Sequence, residues 1–105
     1  MNSKYRIKKN EEFEYIIKNG SVIKNSFFVI YNIERRENYN RYGISVSKNV
    51  GNSVKRNKIK RRIKDIIIKN SIKKGYDYVI IVRKEVEGAS FEKIKDKLLD
   101  LIKGE

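Results

Sequence analysis

The chain has no cysteine and no histidine. Without thiols there is neither a disulfide framework nor a thiolate metal site, which suits a reducing cytosol. Without imidazole, a transition-metal site or general acid-base chemistry would fall to carboxylates alone. These are scattered, as Glu11, Glu12, Glu34, Glu37, Asp65, Asp77, Glu85 and Glu87, and no spacing gathers them into a motif. Catalysis by protein side chains is therefore not expected. No apolar run approaches the ~20 residues of a membrane span, and the opening MNSKYRIKKNEEF lacks the apolar core and small-residue cleavage site of a secretory signal. The expected location is the cytoplasm. Proline, low-complexity segments and internal repeats are also missing.

What is present is charge. At 105 residues the chain is read as one domain, 1–105, with one modest core. Apolar residues make up 39% and come in periodic runs, which argues against disorder although charged residues reach 37%. Lys and Arg number 26 against 13 Asp and Glu, a formal net charge of +13. A small protein that holds so much like charge together, against its own repulsion, points to a polyanionic partner. Nucleic acid is the first candidate. An anionic membrane surface fits less well, because the basic segment has no exposed bulky apolar face beside it.

The periodicities predict the order α, β, β, β, α, β, α: an α+β sandwich with three helices covering a small four-stranded sheet. Asn10 with Glu11 and Glu12 starts a first helix that places Phe13, Ile16 and Ile17 on one face and ends at Gly20. Ser21 to Ile33 reads as a short and a longer strand with a bend at Lys24 to Ser26. In the longer one Phe27, Val29, Tyr31 and Ile33 share a face, opposite Phe28, Ile30 and Asn32. ERRENYNR reads as a hairpin connection to RYGISVSK, in which Gly43, Ser45 and Ser47 form a low, polar side opposite Tyr42, Ile44 and Val46. Gly51 and Asn52 introduce a long helix, Ser53 to Asn70, with an apolar stripe of Ile59, Ile63, Ile66 and Ile67. YDYVIIVRK is a buried strand, and Ser90 caps a last helix with apolar positions Phe91, Ile94, Leu98, Leu101 and Ile102.

The long helix carries the sharpest signal. Lys48, Lys55, Arg56, Lys58, Lys60, Arg61, Arg62 and Lys64 follow one another with no carboxylate among them. Like charges at i and i+4, such as Arg56 with Lys60, destabilise an isolated helix by a few tenths of a kcal/mol per pair. An ordinary solvated face mixes signs, as the last helix does with Glu92, Lys93, Asp96, Lys97 and Asp100. The contrast marks a polyanion-binding helix in which Arg offers planar bidentate contacts to phosphate, Lys point charge, and Asn57 a neutral donor and acceptor. The residues by themselves leave DNA and RNA open.

KNVGNSVKRNKIKRRIK resembles the signature of the protein component of bacterial ribonuclease P: a Gly-Asn turn, an Arg-Asn pair, a basic residue, then Lys-Arg. NEEFEYIIKNG is similar to the family's first helix, SFFVIYNI and RYGISVSK to its central strands, and YDYVIIVRK to its late strand. The resemblance covers nearly the whole chain in order. It implies a fold like ribosomal protein S5 domain 2 with a left-handed βαβ crossover, against the usual handedness. It further implies a ribonucleoprotein whose RNA subunit is the catalyst and removes the 5′ leader of precursor tRNA with Mg²⁺, held mainly by that RNA. Metal positions on the protein stay unknown.

Carried over by motif, Arg56, Asn57, Lys60 and Arg61, helped by Lys58 and Lys64 where the family often has Arg, would contact the RNA subunit. Phe13, Ile17, Tyr31, Ser45, Ser47 and Lys48 would form the leader cleft, with Arg83 and Lys84 extending its basic rim. Ile17 stands where a second aromatic is common, and Asn49 where a second basic residue often follows Ser-Lys. The expected partners are ribonuclease P RNA and precursor tRNA, with no membrane and no DNA, since a single helix lacks the paired helices and dimer seam of sequence-specific DNA readers. A structural RNA-binding protein, such as a ribosomal protein, is the alternative from another class.

Overall fold

The computed structural model describes residues 2–104. Its elements are α1 (Asn10–Asn19), β1 (Ser21–Lys24), β2 (Phe28–Glu34), β3 (Arg41–Val46), α2 (Ser53–Lys69), β4 (Tyr76–Val82) and α3 (Phe91–Ile102), the order expected from periodicity. Short 3-10 turns at Ser3–Tyr5, Lys48–Val50 and Lys84–Val86 punctuate them.

Local chemistry explains most boundaries. Asn52 Oδ1 accepts from the Lys55 amide at 3.0 Å and caps α2, while Gly51 reaches it through φ 150°. Ser90 Oγ accepts from the Lys93 amide at 3.2 Å and caps α3, as expected. Asn25 Oδ1 accepts from the amides of Phe27 and Phe28, a side-chain turn that makes the bend before β2. At α1 the expected cap is one residue off: Asn10 is inside the helix, and Lys9 occupies the cap position without a side-chain bond. At the other end of α2, Asn70 is outside the helix and its Nδ2 donates to the Ile66 carbonyl.

Two expectations are corrected by long-range pairing. The strand order is β1-β2-β4-β3, so ERRENYNR is not a hairpin connection. The chain instead passes over the end of the sheet, and β3 enters at the far edge, parallel to β4. β4 then fills the place between β2 and β3, antiparallel to one and parallel to the other. Adjacent parallel strands joined through α2 make the crossover unit that the resemblance implies. Phe27, placed with Val29 and Tyr31 by alternation, lies before the strand begins and is buried in the opposite layer against Phe28, 6.3 Å between ring centroids.

The sheet divides the core in two. Phe28, Ile30, Tyr42, Tyr78, Ile80 and Val82 face α2 and α3, where Ile63, Ile66, Ile94 and Leu98 close the main core. On the other face Val79 meets Ile16 and Ile7, with Phe13, Tyr31, Ile33 and Ile81 partly buried around them. Among the described residues α1 and the segment around Ile7 cover that second face, and a ten-residue helix leaves part of it open.

Candidate nucleic-acid interface

On α2 the apolar stripe does what its spacing predicts: Ile63, Ile66 and Ile67 are buried and Ile59 is partly so. This turns Asn57, Lys58 and Arg61 outward and exposed, with Arg56, Lys60 and Lys64 half-buried along the edges. Arg62 points elsewhere and lies 5.8 Å from the Phe91 ring centroid of α3, a cation-π contact that ties the two helices together. Among the described residues the one acidic side chain of α2 is Asp65, held by Lys69 at 3.1 Å. The cations singled out from sequence, and Asn57 with them, are thus together on one helix. The Arg56 Nε is buried without a hydrogen-bond partner, on a side chain that is half-buried.

The second surface lies on the α1 side of the sheet. Register places Tyr31, Val79 and Gly43 in one row across β2, β4 and β3, and Val29, Ile81 and Ser45 in the next. Phe13 lies on Gly43: a Cβ there would come within 2.6 Å of Phe13 Cε1. Beyond α1, the row of Val29, Ile81 and Ser45 forms an open shelf, with Ser45 exposed. Phe13 and Ser45 line a groove of about 370 Å³ together with Asn10, Glu14, Ile44, Val46 and Lys60. Lys60 is on α2, on the opposite layer, and reaches this groove around the edge strand. The residue that sequence reasoning put with the RNA-subunit contacts is therefore where the two surfaces meet.

Other expected cleft residues are spread around that groove. Tyr31 is two strands away from Gly43, about 10 Å at the usual strand spacing, and packs beside Ile16. Ile17 is exposed on the outer side of α1. Ser47 is past the end of β3; its Oγ accepts from the Asn49 amide at 3.2 Å and caps the turn that carries exposed Lys48. That turn packs against the one carrying Lys84, so Lys48 and Lys84 crowd the same end of the sheet. Arg83 stays near them, exposed, with a 3.9 Å contact to Glu85. Asn10 and Glu14 were missed; their place next to Phe13 on α1 is the signal that could have found them.

A buried ionic hub holds α1 against the sheet. Asp77 on β4 accepts from Arg41 Nε and Nη2 at 2.9 Å and from Arg35 Nη1 at 2.8 Å, and Arg41 also reaches Glu12 of α1 at 2.8 Å. Burial pushes the Asp77 carboxyl up, but the hydrogen bonds and charges of Arg41 and Arg35 outweigh it and hold the group below its ordinary value. The same contacts raise Arg41. Glu12 precedes Phe13, so the hub fixes the aromatic as well. It also engages the carboxylates: among the described residues no three His, Asp or Glu side chains gather as metal ligands. Among the described residues no helix is long and apolar enough to cross a membrane.

Comparisons with known proteins point to one family. The family model for ribonuclease P matches residues 1–104. The ribonuclease P protein component of Clostridium kluyveri is 47% identical over 103 residues, covering 94% of this chain and 92% of the relative. That of Streptococcus pneumoniae is 41% identical over 105 residues, covering 98% and 85%. The Thermotoga maritima RNase P protein superimposes with a TM-score of 0.88 at 34% identity over 95% of this chain and 96% of the other. The Staphylococcus aureus RNase P protein gives 0.85 at 38% identity over 92% and 91%.

Proposed function

The chain belongs to the ribonuclease P protein family, and we propose that it grips the catalytic RNA of that ribonucleoprotein with α2 while the shelf between α1 and β3 guides the 5′ leader of a precursor tRNA. The observation that carries this reading is the meeting at Lys60 of the strongly basic face of α2 with the groove of Phe13 and Ser45. One molecule can then hold two RNA strands side by side.

Each surface suits its strand. A structured RNA presents dense phosphate, which Arg56, Lys58, Arg61 and Lys64 neutralise with release of counterions. A leader differs from one tRNA to the next, so it calls for contacts tolerant of sequence. Stacking on Phe13 or Tyr31 supplies these at roughly 1 to 3 kcal/mol per base, and Ser45 adds hydrogen bonding along the shelf. Lys48, Arg83 and Lys84 extend a positive rim along the leader's path.

Catalysis in this reading belongs to the RNA subunit, with Mg²⁺ activating water there. Asp77 and Glu12 are committed to arginines, and among the described residues no three His, Cys, Asp or Glu side chains gather as metal ligands. The protein's part is to bind, orient and screen charge. The test is single-turnover cleavage of a precursor tRNA by ribonuclease P RNA at low Mg²⁺, with and without this protein. A large acceleration is expected. Tight RNA binding with no acceleration would return the chain to a structural RNA-binding role.

A further inference from the structure

A groove of about 740 Å³ lies away from both of these sites. It opens at the C-terminal end of α2, between that helix, the 3-10 turn at Ser3–Tyr5 and the β2–β3 connection. We propose that it binds an unpaired nucleotide of the ribonuclease P RNA, a second contact for the same RNA that α2 holds; this rests on the α2 reading given above.

Three observations point there. The first is helix phase: at 100° per residue, Ile68 falls within about 40° of Asn57, Arg61 and Lys64, and about 16 Å further along the axis than Asn57. Ile68 is 62% exposed, a bulky apolar side chain at the end of a cationic stripe. A strand that follows the stripe runs onto it and into the groove. The second is the chemistry of the walls. Tyr5 and Tyr39 meet edge to face, 5.6 Å between centroids, and Lys4 lies 4.5 Å from the Tyr39 centroid and 5.6 Å from that of Tyr5. Lys74 and the amide of Asn70 complete a lining that offers an apolar floor for a base, donors and acceptors for its edge, and cations for its phosphate. The third is sign: among the described lining residues Lys4 and Lys74 are cationic and none is acidic. The leader shelf is on the opposite layer, which assigns the groove to the RNA subunit.

Photo-crosslinking in the assembled holoenzyme tests this, with p-benzoylphenylalanine replacing Ile68 in one protein and Asn57 in another. Both positions are exposed. The expected result is a crosslink from each to ribonuclease P RNA, the Ile68 adduct mapping to an unpaired nucleotide. A crosslink from position 57 with none from 68, or one from 68 only to precursor tRNA, would overturn the groove assignment and leave the function standing. No RNA crosslink from either would remove the α2 reading itself. Independently, Ile68→Glu with Lys74→Glu should weaken RNA binding roughly tenfold or more without shifting the melting temperature. Unchanged affinity would count against the proposal.

Discussion

At Gly43 the missing side chain is what lets the tip of the Phe13 ring sit against the backbone of the edge strand. Alanine there would collide with Phe13, so Gly43→Ala is expected to displace the ring and weaken precursor-tRNA binding by about fivefold or more, the lower end of the scale of one stacked base. Affinity for the RNA subunit should not change. Because both substitutions act on the same ring, Gly43→Ala in a Phe13→Ala background should cost little more, and additive losses in that double-mutant cycle would refute the link. Asp77 gives the second residue-scale prediction. Its folded carboxyl titrates below the ordinary value, so the stability it contributes is complete above about pH 4 and is lost as pH falls through the lower folded value. Asp77→Asn leaves buried Arg35 with the exposed Glu37, 3.2 Å away, as its remaining ion pair, and should cost roughly 1 to 3 kcal/mol at neutral pH. The variant should also lose less stability than the parent on acidification, as read by urea unfolding at several pH values.

At the scale of elements, α2 carries two opposed demands. Its isoleucine stripe stabilises the helix through packing, while the crowded cations opposite destabilise it until a polyanion arrives. Replacing Arg56 and Arg61 by Ala should weaken RNA-subunit binding and flatten its log-log salt dependence by roughly 0.7 to 0.9 for each phosphate that is no longer neutralised. A filter-binding titration over a range of salt would decide, and a slope that survives the double change would exclude these residues as phosphate ligands. α3, by contrast, mixes signs on its outer face and buries Ile94, Leu98 and Ile102, so it serves the core.

For the whole molecule, a net charge of +13 on 105 residues is a standing repulsion that folding must overcome. Exposed cations are spread over the surface, from Lys4, Arg6, Lys8 and Lys9 near the N-terminus to α2 and the turns at Lys48 and Lys84, while Arg35 and Arg41 are neutralised inside. Anions that bind the folded state should therefore raise stability by mass action. The melting temperature is expected to rise with millimolar sulfate or phosphate well beyond the effect of chloride at equal ionic strength; equal effects would mean simple screening.

The elements and the basic helix were legible in the residues alone, because both are written in short periods: isoleucines every three or four residues beside cations that no carboxylate interrupts. Alternation and helical spacing also put Phe13 and Ser45 on faces that prove to adjoin. Which strands pair was not legible, since alternation is the same for a hairpin and for a crossover. Folding in three dimensions put β4 between β2 and β3, moved Phe27 to the other core, gathered Arg35, Arg41 and Glu12 around Asp77, and brought Lys60 around the edge strand to Phe13. Those contacts join residues far apart in the chain, and their geometry follows from closing one sheet between two layers of helices rather than from any local pattern.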